Sequence, residues 1–116
     1  MADDVARIVE VGGKEITERE AVATCVLSTT SETVDRLIEG TTKGDPLEAA
    51  RIAGVFGVKR TPDLLPFCHP IAVTGAEITV TPDRAAGTVT VVARVRAKDR
   101  TGVEMEALTA AAVAAL

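Results

Sequence analysis

The sequence predicts an α+β fold, an antiparallel sheet with helices packed on one face, and three observations carry that expectation. The run from Thr88 to Lys98 alternates regularly, with Val89, Val91, Ala93, Val95 and Ala97 on one side, as a strand with one buried face requires. Asp45-Pro46-Leu47-Glu48 combines a carboxylate cap, a proline at the first helical position and a glutamate three residues on, which together mark a helix start. The stretch from Val103 to Leu116 is helical by its alanine and leucine content. Strands gathered beside helices in the order β-α-α-β-β-α fit a layered arrangement.

The elements follow in turn. An N-terminal arm of about residues 1–18 leads to Arg19–Leu27, rich in Val, Ala and Thr and read as a strand. Ser31 serves as the expected cap of a short helix through Glu39, with Gly40 just past its end. Lys43-Gly44 lies in the next loop. The helix opened by Asp45 is expected to reach about Val58, and its small residues Ala49, Ala50, Ala53, Gly54 and Gly57 suit close approach of another backbone. Lys59-Arg60-Thr61 closes it, and Pro62 either ends the helix or opens a short second one through Leu65. Ile71 to Val80 reads as a strand, Pro82 to Gly87 as a turn, and Thr88 to Lys98 as the second arm of a hairpin. The last helix starts near Val103, presents small residues at 107, 110, 111 and 114, and is cut off at 116 with neither glycine nor proline to end it.

With 116 residues, 47% hydrophobic content and a mean hydropathy of +0.23, the chain has apolar material for one core, so residues 1–116 read as a single domain. Its longest apolar run, Ala110 to Leu116, is far short of a bilayer span, and Ala2-Asp3-Asp4 lacks the layout of a secretion signal. A soluble cytoplasmic protein without a membrane partner is expected. Cys25, Cys68 and one histidine make neither a disulfide framework nor four zinc ligands within one chain, leaving only a metal site shared between subunits. Charge is unevenly spread: from Lys43 to Gly102, nine Lys/Arg stand against six Asp/Glu, while the remainder carries four against eleven. The central half is therefore the candidate anion-binding region. Nucleic acid is a poor candidate for that anion, since Phe56 and Phe67 are the only aromatic residues on which bases could stack, and a small phosphorylated molecule fits better.

Two segments gather the residues able to do chemistry. Pro66-Phe67-Cys68-His69-Pro70 holds the only histidine, the side chain whose ordinary titration lies nearest neutrality; it could handle a proton or contact a phosphate, or simply be satisfied by nearby backbone. On an extended chain Cys68 and His69 would point to opposite faces, so Cys68 reads as a small wall residue rather than a nucleophile. In Arg100 to Thr109, Glu104 and Glu106 would lie on one side of an extended segment, or nearly opposite on a helix. They could accept paired hydrogen bonds from a guanine-like ring, or form an acidic first turn favourable to the helix dipole. Lys43 precedes a glycine in a loop and could reach a phosphate or transfer a proton. The cations Arg94, Arg96 and Lys98 share a strand face, either solvated or anion-binding.

The chain resembles the MoaC, or cyclic pyranopterin monophosphate synthase, family of molybdenum cofactor biosynthesis along nearly its whole length. The likeness rests on Ile8-Val9-Glu10-Val11 with Lys14 (where the family more often has Met-Val-Asp-Val), Lys43-Gly44-Asp45, Ala50-Arg51-Ile52-Ala53-Gly54, Lys59-Arg60-Thr61, Leu65 to Pro70 and Thr101 to Thr109. It implies a ferredoxin-like subunit assembled into a homohexamer, a trimer of dimers, with active sites at subunit interfaces. It also implies a lyase that converts a cyclised dihydro-GTP (3′,8-cyclo-7,8-dihydroguanosine triphosphate) to cyclic pyranopterin monophosphate and pyrophosphate, with neither metal nor organic cofactor. By motif, Lys43 would be catalytic; Phe67, Cys68 and His69 would line the substrate pocket; Met105 and Glu106, with Glu104 nearby, would hold the pterin side; Lys59 and Arg19 would face the triphosphate. The family's essential aspartate and a second lysine fall by spacing beyond Leu116. The alternative is a catalytically silent paralogue or truncated form that binds nucleotide or pterin, or serves assembly.

Overall fold

The computed structural model describes residues 4–116, so Ala2 and Asp3 of the acidic N-terminus lie outside the described residues. Its elements are β1 (Thr17–Ser28), α1 (Ser31–Glu39), α2 (Pro46–Leu64), β2 (Val73–Asp83), β3 (Thr88–Asp99) and α3 (Glu104–Ala115), in the order expected. The strands form one antiparallel sheet ordered β1-β3-β2, giving an α+β arrangement consistent with a ferredoxin-like subunit. β3 is central, with Thr17 opposite Asp99 on one side and Val73 opposite Ala97 on the other. Its residues Val89, Val91, Ala93, Val95 and Ala97 are all buried on the face that α3 and α1 cover, while α2 packs on β2, so the alternation was a true record of sidedness.

Local chemistry sets the helix ends. The α1 cap is Thr30 rather than Ser31: the Thr30 hydroxyl accepts the Thr33 N–H at 3.1 Å, while Ser31 begins the helix and donates to the Arg84 carbonyl at 2.7 Å. Asp45 caps α2 as expected, accepting from Leu47 and Glu48. That helix does not stop near Val58, nor at Pro62; it continues to Leu64 as one element. Pro62 falls in the last turn, where it removes a single intrahelical donor, and the bonds from Thr61 Oγ1 to the Gly57 carbonyl (2.7 Å) and from Leu65 N–H to the Thr61 carbonyl (2.9 Å) hold the turn around it. Pro82 likewise stays within β2 instead of starting the turn, because β2 is an edge strand and has a side that needs no ladder donor.

Every fully buried hydrophobic residue among those described is valine or alanine. This small-residue core lets α2 and α3 approach closely: a Cβ added at Gly57 would meet the Ala110 Cα at 3.2 Å and the Thr109 carbonyl oxygen at 3.3 Å. The close contact fixes α3, and with it the residues at its first turn. On the opposite sheet face Arg94 pairs with Glu20 (3.0 Å) and Arg96 with Glu77 (2.9 Å), each ion pair spanning neighbouring strands in solvent. Arg94 and Arg96 are thus solvated and paired with carboxylates across strands.

Candidate functional site

The end of α2 and the start of α3 bring the two chemistry-bearing segments together. After Leu64 the chain turns, with the Cys68 N–H bonded to the Leu65 carbonyl at 3.1 Å, and runs through His69 into β2. The turn brings Cys68 and His69 to the rim of one cleft of about 260 Å³, although on an extended chain they were expected to face apart. Phe67 joins them from the same turn. Thr101, Gly102, Glu104, Met105 and Glu106 form the facing wall, and Val9, Val11 and Lys14 of the N-terminal arm complete it.

Glu104 and Glu106 both belong to α3, so the extended alternative is excluded. They still reach the same cleft. Glu104 is exposed and folds back over Gly102, where an added Cβ would lie 2.6 Å from its carboxyl carbon, so only glycine leaves room for this fold-back. Glu106 turns inward and is 3% exposed. No other described residue donates a hydrogen bond or forms an ion pair with it. Burial pushes its carboxyl above the usual range; its own backbone N–H opposes this, while the carboxylates of Glu104 and Asp99 push it further up. Burial, and then Glu106, likewise raise the Cys68 thiol. A thiol held in its neutral form is a poor nucleophile, which agrees with a wall role for Cys68.

A second groove of about 630 Å³ lies between α2 and the start of β2, lined by Val55, Lys59, Pro62 and residues 70–76, and Glu106 forms part of its wall too. Lys59 therefore stands in a groove that adjoins the His69 cleft through one buried carboxylate. Arg19 sits opposite Ala97 on the helix-covered side of β1, donates to the Arg100 carbonyl at 3.3 Å, and has a buried Nε without a hydrogen-bond partner. Lys43 is not brought to this cluster. It lies in the exposed Thr41–Gly44 turn before α2, and the rise of that helix puts its cap, Asp45, about 20 Å from Lys59.

Sequence reasoning missed two neighbours of the cleft. Lys14 carried part of a motif but no assigned role, and Asp99, the last residue of β3, went unremarked. The Asp99 carboxylate accepts the backbone N–H groups of Ala72 (2.8 Å) and Arg100 (2.7 Å). Those bonds, with the positive charges of Arg100 and His69, hold its carboxyl below the usual range against a smaller opposing effect of burial. Among the described residues no group of three His, Cys, Asp or Glu side chains could hold a metal ion, and no helix is long and apolar enough to cross a membrane.

Residues 8–116 match the MoaC family. The chain is 50% identical over 112 residues to the cyclic pyranopterin monophosphate synthase of Pelotomaculum thermopropionicum, covering 96% of this chain and 66% of that protein. It is 53% identical over 117 aligned positions to the protein of that name from Geobacter sulfurreducens (98% and 73%), and 51% identical over 112 to that from Streptomyces coelicolor (96% and 65%). The chain thus spans about two-thirds to three-quarters of the length of these curated relatives.

Proposed function

The chain belongs to the MoaC family, and from that premise we propose that it acts in the cytoplasm as a cyclic pyranopterin monophosphate synthase subunit in molybdenum cofactor biosynthesis. The reaction is the rearrangement of 3′,8-cyclo-7,8-dihydroguanosine triphosphate into cyclic pyranopterin monophosphate with loss of pyrophosphate. One observation carries the reading: the buried Glu106, which takes no hydrogen bond from any other described residue, faces Phe67, Cys68 and His69 across a cleft and backs onto the groove that holds Lys59. A carboxylate bonded by nothing beyond its own backbone N–H has acceptor capacity left for ring N–H groups of a guanine-derived ligand, and Glu104 and Met105 flank it. Lys59 and Arg19 supply positive charge for the phosphates, and His69 stands where a proton can be handed on.

Lys43 enters this scheme from a second copy. A nucleotide cannot bridge the length of α2, so a catalytic Lys43 serves the cleft of a neighbouring subunit, in keeping with a homohexamer built as a trimer of dimers. The subunit's surface supports association: Ile52 and Phe56 on α2 and Met105 and Leu108 on α3 are large, apolar and 41–55% exposed, while the core holds only smaller residues.

GTP serves as an unreactive probe of binding and the cyclised dihydro-GTP as the substrate. GTP is expected to raise the melting temperature of the chain, and a form that includes the segment beyond Leu116, where the resemblance places the family's aspartate and second lysine, to release pyrophosphate from the substrate. Lys43→Ala is expected to lower that release by about 100-fold or more, the scale of a lost acid–base group, without changing the melting temperature. Undiminished turnover in this variant refutes the role of Lys43. GTP binding without pyrophosphate release supports instead a silent binding or assembly subunit.

A further inference from the structure

Asp99 spends its two carboxylate oxygens on two different stretches of chain. Oδ2 accepts the N–H of Ala72, three residues beyond His69, and Oδ1 accepts the N–H of Arg100, which opens the segment leading to Glu104 and Glu106. Pairing between β2 and β3 starts at Val73 opposite Ala97, with a register shift before Gly75, and the Lys98 N–H still reaches the Ala72 carbonyl at 3.1 Å. Beyond that point the backbone ladder has run out, and the side chain of Asp99 adds one more rung. Each wall of the His69–Glu106 cleft is thus tethered to one oxygen of the same carboxylate.

We propose that Asp99 is a positioning residue, a clasp that sets the spacing between the two walls of this cleft. The proposal rests on the cleft being the substrate site. Asp99 itself is not among the residues lining the cleft; it lies with His69, Pro70 and Arg100 in a shallow depression against residues 8–12 of the arm, and so acts through its neighbours rather than on reacting atoms. Asparagine cannot replace it. An amide has one acceptor oxygen, and its NH2 would oppose the second backbone N–H, releasing one of the two segments. Glutamate keeps both acceptors on a longer stem. Asp83, at the far end of the same hairpin, accepts the Ala86 N–H at 3.1 Å and offers a comparable strand-end bond remote from the cleft.

The test compares Asp99→Asn, Asp99→Glu and Asp83→Asn in the whole chain. It uses the imidazole NMR signal of His69, the only histidine, hydrogen exchange at the Ala72 and Arg100 amides, and calorimetric affinity for GTP. Asp99→Asn is expected to shift and broaden the His69 signal, to speed exchange at one or both amides about 10-fold or more, and to weaken GTP binding by about 10-fold, as a misplaced wall implies. Asp99→Glu should recover part of each change, and Asp83→Asn, which keeps the one acceptor oxygen its single bond needs, should show none of them. An unchanged His69 signal and GTP affinity in Asp99→Asn, or equal changes in Asp83→Asn, overturn the proposal. If Asp99→Asn does not fold, wild-type values in Asp99→Glu overturn it and displaced values support it. If the unaltered chain does not bind GTP, the functional reading falls, and the clasp is then upheld or rejected on the His69 signal and the two amides alone.

Discussion

Replacing Glu106 by glutamine should yield a protein that is more stable yet binds its ligand less well. The side chain is 3% exposed with no partner from another described residue, and its carboxyl is held above the usual range, chiefly by burial. The folded chain therefore keeps a proton that the unfolded chain releases. Its contribution to stability is fully present below the ordinary glutamate range, near pH 4, and is lost as pH rises through the raised folded value. Glutamine does not ionise, so the variant escapes that loss. Removing a charge that burial disfavours contributes on the order of 1 kcal/mol at neutral pH, which for a chain of this size is roughly 3–6 °C in melting temperature. The same change halves the acceptor capacity and removes the charge that strengthens it, at a cost of about 1.5–3 kcal/mol in binding, or roughly 10- to 100-fold in affinity for GTP. Thermal melts at pH 4, 6 and 8, with and without GTP, measure both effects. A variant no more stable than the unaltered chain at pH 8, or a stability difference that does not shrink towards pH 4, refutes the reasoning.

Two further outcomes follow from packing and charge. Gly57→Ala should lower stability in urea by about 1 kcal/mol, because overpacking against α3 backbone costs about 1–3 kcal/mol while the helix gains only about 1 from losing a glycine; an increase in stability would show that α3 moves aside freely. The double change Arg94→Gln and Arg96→Gln should leave GTP affinity within about two-fold, since both guanidinium groups are already paired with Glu20 and Glu77 on the face away from the helices. A ten-fold loss would move the anion site onto the sheet.

Where one residue's neighbours decide its state, the sequence was informative. The alternation in β3 was readable because a central strand beneath helices buries one side completely, and Asp45-Pro46 was readable because capping is settled within four residues. Local ambiguity explains the smaller misses: Thr30 and Ser31 are chemically equivalent caps, and Pro62 ends a helix or rides in its last turn according to tertiary support. The site was legible as two segments but not as a geometry. Cys68 and His69 share a wall only because of the turn at Leu65, and the bond from Ala72 to Asp99 joins residues 27 apart that no local pattern connects. Lys43 was expected at the chemistry, yet its distance along α2 is a property of one subunit that its motif does not express.

The alanines of the core can change in only one direction. Alanine has no methylene to shed, so nearly every substitution at Ala93, Ala107, Ala110 or Ala111 must enlarge a side chain already pressed between helix and sheet, and truncation, the commonest route to tolerated drift in cores rich in leucine, is closed. Sequence divergence within this architecture is thereby channelled to the outer flanks of α2 and α3, where the bulky residues lie. The spacing of the two helices, and the placement of Glu106 that depends on it, should persist long after those flanks have been rewritten.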